Sequence, residues 1–87
     1  MHTSEIIRQR LNCFHPVAIN IVDDSDSHAG HAGAASGGGH FQLTIVSEAF
    51  QGKASVARHR MIYDALGDLM HKEIHALQIE AFTPDQI

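Results

Sequence analysis

A run of small and polar residues interrupts the chain between two short apolar segments. Residues 23 to 39 contain only Asp, Ser, His, Ala and Gly, and they end in three consecutive glycines. Such a composition offers too little apolar surface to contribute to a core. A connection of this length without secondary structure is unusual in a compact domain, so it is either functional or a simple insertion. We therefore expect a flexible surface loop at about residues 24–39, with the fold built from the segments on either side.

The segment before the loop predicts one helix and one strand. Apolar residues recur at helical spacing over residues 6–14, and Ser4 or Thr3 can cap this helix. Pro16 ends it, because the residue before a proline is biased away from helical geometry. Residues 17–22 then form a strand whose bulkiest side chains share one face. These side chains are Val17, Ile19 and Ile21.

The segment after the loop predicts a strand, a long helix and a final strand. Residues 41–46 alternate between apolar and polar side chains, which is typical of a strand. A short helical turn at residues 48–50 follows, and the longest helix begins at Ala54 or Ser55 and runs to about residue 70. Residues 74–82 form the third strand. The side chains expected on the buried face of the long helix are Val56, Ile62, Tyr63, Leu66, Leu69 and Met70.

The order of these elements is α-β-β-α-α-β. Two adjacent strands joined by a loop favour an antiparallel hairpin, and a crossover that contains a helix favours parallel pairing of the second and third strands. The sequence therefore predicts an α+β fold, with a three-stranded mixed sheet and helices on one face. A chain of 87 residues has room for one domain, which we place at residues 1–87.

Composition narrows the classes of function. The net charge is −4 with histidine neutral, which argues against a general nucleic-acid-binding protein. The single cysteine, Cys13, cannot form an internal disulfide, and we expect it to be a small buried apolar residue. No apolar run reaches the roughly 18 residues of a membrane span, and the first residues lack the pattern of a signal peptide. We therefore expect a cytoplasmic protein that does not act at a membrane.

Nothing in the spacing of the reactive side chains indicates catalysis. No combination of Ser, His and carboxylate residues has a spacing that suggests a nucleophile and its base. The three consecutive glycines precede a strand rather than a helix, unlike the glycine-rich loops that bind phosphate. We expect that the protein is not an enzyme.

Histidine is unusually frequent. The eight histidines lie at positions 2, 15, 28, 31, 40, 59, 71 and 75. Imidazole ligates metals and titrates near neutral pH. A labile zinc or copper site formed by His28, His31 and His40 is one hypothesis, and solvated loop residues are the alternative. His75 opens the third strand on the side of Leu77, which by itself indicates a histidine at the edge of the core.

Lys53, Arg58 and Arg60 form the one basic cluster of the sequence, near the start of the long helix. The helix dipole also favours anions at this position. The cluster is a candidate contact for DNA phosphates or for an acidic partner, although three charges give only weak, salt-sensitive DNA binding. The alternative is a solvated face in which one arginine pairs with Asp64 or Glu48.

A series of motifs resembles the BolA-like family over about residues 3 to 84. The matching segments are Asp23-Asp24-Ser25 with His28, His40-Phe41, Val46-Ser47, Phe50-Gln51-Gly52-Lys53, Arg58-His59-Arg60-Met61-Ile62-Tyr63 and Ile74-His75-Ala76-Leu77. Two features depart from the family pattern. Asp24 stands where the family more often has Glu, and the loop carries an additional His31.

The resemblance implies a fold like the type II KH domain, without the Gly-x-x-Gly loop. It implies a partnership with a monothiol glutaredoxin around a shared 2Fe-2S cluster, to which glutathione contributes, with no cofactor in the isolated chain. His75 matches the cluster-ligating histidine of the family, and His28, or His31 in its place, is the expected loop ligand. Some members are DNA-binding regulators of cell morphology and stress response, a role for which Lys53, Arg58 and Arg60 are the candidate contacts. Alone, the chain is expected to be a monomer or a weak homodimer.

Overall fold

The computed structural model describes residues 2–24 and 39–87. The loop predicted at about residues 24–39 lies almost entirely outside the described residues, and so do His28 and His31. The helices are α1, Thr3–Leu11, and α2, Ser55–Leu66, and the strands are β1, Ala18–Asp23, β2, Gly39–Val46, and β3, Ile74–Phe82. Short 3-10 turns cover Asn12–Phe14, Glu48–Phe50, Gly67–His71 and Pro84–Gln86. No helix of the described residues is long and apolar enough to cross a bilayer.

The sheet has β2 at its centre, antiparallel to β1 and parallel to β3. This confirms the predicted α+β fold with a mixed sheet. Ile21 pairs with Leu43, and Leu43 pairs with Ile79, so the apolar side chains of all three strands share one face. Both helices pack on that face. Their fully buried side chains are Ile7, Leu11, Ile62 and Leu66.

One face of α2 packs on the sheet, and the sequence identified it only in part. Ile62 and Leu66 are fully buried, but Val56 is 64% exposed and Tyr63 is 41% exposed. The prediction that Val56 and Tyr63 are buried is therefore wrong. At about 100° per residue, Arg58, Ile62 and Leu66 lie on one face, and Val56 lies roughly 200° around the helix from Arg58.

Both helices differ from the prediction in where they begin or end. α2 stops at Leu66 rather than near residue 70, because Gly67 has a positive φ of 56°, a conformation that glycine adopts without steric cost. α1 begins at Thr3, two residues before the predicted start near Glu5, and it ends at Leu11 rather than continuing to Phe14. Thr3 and Ser4 thus lie inside the helix, and no side chain caps its start.

The residues between α1 and β1 contradict two further predictions. Cys13 is exposed rather than buried. It lies in the 3-10 turn that directs Phe14 toward Phe50, whose ring centroid is 5.4 Å from that of Phe14. Val17 precedes β1 and is 66% exposed, so it does not share the buried face with Ile19.

Candidate functional site

His75 is the extra residue of a β-bulge. Gly39 pairs with Ile74, but the next residue of β2, His40, pairs with Ala76. β3 therefore contains one residue more than β2 over this stretch. Such a bulge bends the strand and changes the face to which the following side chains point.

The bulge explains why His75 is accessible. Ile74 is 3% exposed on one side of the bulge, and Leu77 packs against the core on the other side. His75 itself is exposed. The prediction that His75 shares the face of Leu77 and Ile79, at the edge of the core, is therefore wrong.

His75 lies beside His40. Their ring centroids are 5.1 Å apart, and the ring planes are inclined at 45°. His40 is near the start of β2 and His75 near the start of β3, and because these strands are parallel neighbours, their starts lie at the same end of the sheet. The two imidazoles thus form one accessible pair, with His40 half-buried and His75 exposed.

Backbone hydrogen bonds fix both strand starts. The N–H of Asp24 donates to the carbonyl of His40 at 2.7 Å, and the N–H of Gly39 donates to the carbonyl of Glu73 at 2.9 Å. The first bond ties β2 to the end of β1, and the second ties it to the turn before β3. The positions from which His40 and His75 project are therefore set by the sheet itself.

The histidine pair has the spacing of two ligands of one metal ion. With metal–nitrogen bonds of about 2.0–2.1 Å, two imidazoles on one ion have ring centres about 5 Å apart. No group of three or more His, Cys, Asp or Glu side chains within residues 2–24 and 39–87 is placed to hold a metal ion. The centroid distance of 5.1 Å is thus compatible with two imidazoles on one ion, for which further donors would have to come from elsewhere.

The predicted loop ligands cannot be placed relative to this pair, because His28 and His31 lie outside the described residues. Their role in a cluster stays a prediction, and the zinc or copper site formed with His40 stays a hypothesis. The sequence indicates that His40 is either structural or an alternative ligand of the cluster, and it does not place His40 beside His75. The signal was present, since each histidine stands near the first position of a strand and the two strands were predicted to be parallel.

Arg58 is hydrogen-bonded within the protein. Its Nε donates to the carbonyl of Lys53 at 2.9 Å. Its Nη1 donates to the carbonyl of Ala81 at 2.9 Å and to the side-chain oxygen of Gln86 at 2.7 Å. These three bonds, which we call the Arg58 clip, connect the start of α2 with the end of β3 and the C-terminal turn.

The two other members of the basic cluster, Lys53 and Arg60, are exposed. Neither forms an ion pair with another residue of the described ranges, and no arginine there pairs with Asp64 or Glu48. Contact of the cluster with DNA or an acidic partner stays a prediction. Lys53 and Arg60 are the members best placed for it, because the guanidinium of Arg58 is already engaged.

The carboxylate of Asp85 also stabilises the C-terminal turn, Pro84–Gln86, by accepting two side-chain hydrogen bonds. The hydroxyl of Thr83 donates to Oδ1 of Asp85 at 2.6 Å, and Nε2 of Gln51 donates to the same atom at 2.9 Å. The hydrogen bond from Thr83, then that from the Asp85 backbone and then that from Gln51, hold the pKa of this carboxyl below its ordinary value. Near neutral pH the carboxylate of Asp85 is therefore ionised, and it stabilises the same turn whose Gln86 accepts a hydrogen bond from Arg58.

Comparison with known proteins identifies relatives over nearly the whole chain. Residues 11–86 match the model of a family described as BolA-like protein. The chain is 46% identical over 87 residues to SufE-like protein 1, chloroplastic/mitochondrial, of Arabidopsis thaliana, an alignment that covers 93% of this chain but 24% of that relative. It is 37% identical over 84 residues to the DNA-binding transcriptional regulator BolA of Escherichia coli strain K12, which covers 95% of this chain and 77% of the relative.

Solved structures share the fold. The BolA domain of SufE1 from Arabidopsis thaliana superposes with a TM-score of 0.84 at 43% identity, covering 100% of this chain and 99% of that one. BolA1 from Arabidopsis thaliana gives a TM-score of 0.86 at 35% identity, with 100% and 97% covered. The family model and these folds agree with the motifs around His40, Arg58 and His75, and the chain belongs to the BolA-like family.

Proposed function

We propose that this chain is a non-enzymatic partner of a monothiol glutaredoxin, with which it shares a histidine-ligated 2Fe-2S cluster in iron–sulfur trafficking or in sensing of iron or redox state. The observation that carries the proposal is the accessible contact between the imidazoles of His40 and His75. Membership of the BolA-like family is consistent with it.

The donor chemistry of the chain fits half of such a site. Cluster irons are ligated by thiolates, and two imidazoles replace two thiolates on one iron of Rieske centres. The chain offers adjacent imidazoles but has a single cysteine, Cys13. The remaining thiolates therefore have to come from the glutaredoxin and from glutathione. When bound, the cluster supplies one-electron redox chemistry, and neutral imidazole ligands raise its potential above that of an all-thiolate cluster.

His75 belongs to every ligand set that we propose. The second imidazole comes from His28, His31 or His40. His40 is supported as the second ligand by the distance of 5.1 Å between its ring centroid and that of His75. His28 and His31 rest on the resemblance of the loop to the family pattern.

The test is anaerobic reconstitution of the purified chain with a monothiol glutaredoxin, iron, sulfide and glutathione. We expect absorption and circular-dichroism spectra that differ from those of glutaredoxin reconstituted alone, and a mixed complex by size-exclusion chromatography. The control is the same mixture without this chain. Spectra that never depart from those of the control contradict the proposal.

A second function, DNA binding by a transcriptional regulator, is favoured by the similarity to the Escherichia coli regulator BolA. Lys53 and Arg60 are exposed and available for phosphate contacts. The net charge of −4 opposes binding to DNA, so affinity has to come from this local patch.

Replacing both Lys53 and Arg60 by alanine is expected to weaken duplex binding. The slope of log affinity against log salt concentration, which is negative, should decrease in magnitude by about two. Fluorescence anisotropy at several salt concentrations measures this slope. Lys72→Ala is the matched control, because Lys72 is an exposed cation that lies 3.7 Å from Asp68 and outside the basic cluster. Equal affinity for unrelated duplexes, or a slope unchanged by the double substitution, counts against specific regulation through this patch.

A further inference from the structure

Tyr63 forms part of an open groove on the outer side of α2. The groove has a volume of about 700 Å³. It runs along the last turn of α2 and the following 3-10 turn, Gly67–His71. Its lining residues are Tyr63, Asp64, Gly67, Asp68, Met70 and His71.

The groove combines an apolar surface with one carboxylate, that of Asp64, which forms no ion pair among the described residues. Tyr63 is 41% exposed, and Met70 is half-buried. Asp68 is already matched, because its carboxylate lies 3.6 Å from the guanidinium of Arg10 and 3.7 Å from the ammonium of Lys72. Asp64 is exposed and forms no ion pair with any other described residue.

These features favour a cation beside an apolar group. The face of a tyrosine ring attracts a lysine or arginine side chain, and a neighbouring carboxylate strengthens that attraction. Asp64 and Tyr63 also lie in the last turn of α2, where the helix dipole favours positive charge. The groove is widely open to solvent, which suits a polypeptide segment better than an enclosed small molecule.

We propose that this groove binds a segment of a partner protein in which a lysine or arginine is adjacent to an apolar residue. The cation pairs with Asp64 over the ring of Tyr63, and the apolar side chain covers Met70. Neither His40 nor His75 takes part, so the inference goes beyond the cluster proposal and does not depend on it.

Tyr63 itself provides the measurement. The chain contains one tyrosine and no tryptophan, so its intrinsic fluorescence reports on the groove. The probes are a short acetylated and amidated peptide of alternating leucine and arginine and its leucine–glutamate counterpart, added to the iron-free protein. We expect a saturable fluorescence change with the arginine peptide alone. No change, or equal changes with both peptides, overturns the proposal.

Matched acid-to-amide substitutions separate the groove from general electrostatic attraction. Asp64→Asn is expected to weaken binding of the arginine peptide about fivefold, and Asp68→Asn less than about twofold, because Asp68 is already paired. Far-ultraviolet circular dichroism verifies that both variants are folded. Equal weakening by the two substitutions overturns the proposal. Because the experiment contains no iron and no glutaredoxin, its result is independent of whether a cluster forms.

Discussion

A chain carrying His75→Ala is expected to form no mixed cluster with glutaredoxin. His75 is common to all of the proposed ligand sets, so loss of its imidazole leaves each of them one ligand short. The side chain is exposed on a bulge, so truncating it removes no core packing. The free energy of unfolding should change by no more than about 0.5 kcal/mol. Reconstitution spectra and thermal unfolding of the same preparation measure the two effects.

His2→Ala is the control, because His2 is an exposed histidine whose side chain makes no capping bond. It should leave both the spectra and the stability unchanged. Single substitutions of His28, His31 and His40 by alanine then identify the second ligand, since one of the three should lose the mixed spectrum as completely as His75→Ala does. If His75→Ala keeps the wild-type spectra, His75 is not a ligand and the proposed function fails.

Arg58→Ala is expected to destabilise the fold rather than merely to weaken contact with a partner. The substitution removes all three hydrogen bonds of the Arg58 clip and leaves the carbonyl of Ala81 without that charged donor. We expect a loss of about 2 kcal/mol, which lowers Tm by about 10 °C in a domain of this size. A chain of 87 residues has a total stability of only about 4–13 kcal/mol at roughly 0.05–0.15 kcal/mol per residue, so the loss is substantial.

Arg60→Ala provides the comparison within the same cluster. Arg60 is exposed and makes no ion pair among the described residues, so its removal should change stability by less than about 0.5 kcal/mol. Arg58→Lys should recover little, because an ammonium cannot reproduce the forked geometry of the guanidinium. Equal stability of the Arg58→Ala and Arg60→Ala chains would show that the clip contributes nothing and that Arg58 is free to serve a partner.

The order and pairing of the elements were predictable because they depend on local patterns. Residues 41–46 alternate as a strand with one buried face must, and the helical crossover after them favours a parallel third strand. The spacing of apolar residues in β3 also indicates the bulge. Ile74 and Leu77 are three residues apart, which a regular strand cannot place on one face, so two inward side chains at this spacing indicate an extra residue between them.

The features that were not predicted depend on contacts between distant parts of the chain. By sequence, Arg58 is indistinguishable from an exposed surface cation. Its partner Gln86 lies 28 positions away and reaches Arg58 only through the fold of the C-terminal turn. Tyr63 fits a helical apolar stripe by spacing, but the sheet covers only the face that carries Ile62 and Leu66. The periodicity of apolar residues predicts which side chains of a helix share a face. How much of that face is buried depends on the sheet that packs against it, which the local sequence does not specify.

The Arg58 clip has a second consequence, which concerns the outer side of β3. The carbonyl of Phe82 accepts from the N–H of Ser47, next to β2, whereas the carbonyl of Ala81 accepts from Arg58. Because successive residues of a strand direct their backbone groups to opposite sides, Leu77 and Ile79 direct theirs away from the sheet, as Ala81 does.

Among residues 2–24 and 39–87 no further strand pairs with this side of β3. Such an edge is a template on which a second molecule can add its own strand, and that is a common route to aggregation. In this protein only a short part of the β3 edge is available for such pairing. The bulge at His75 disturbs it at one end, and the guanidinium of Arg58 occupies it at the other. The distortion that exposes an imidazole and the arginine that anchors α2 therefore also protect this small protein against polymerisation through its outermost strand.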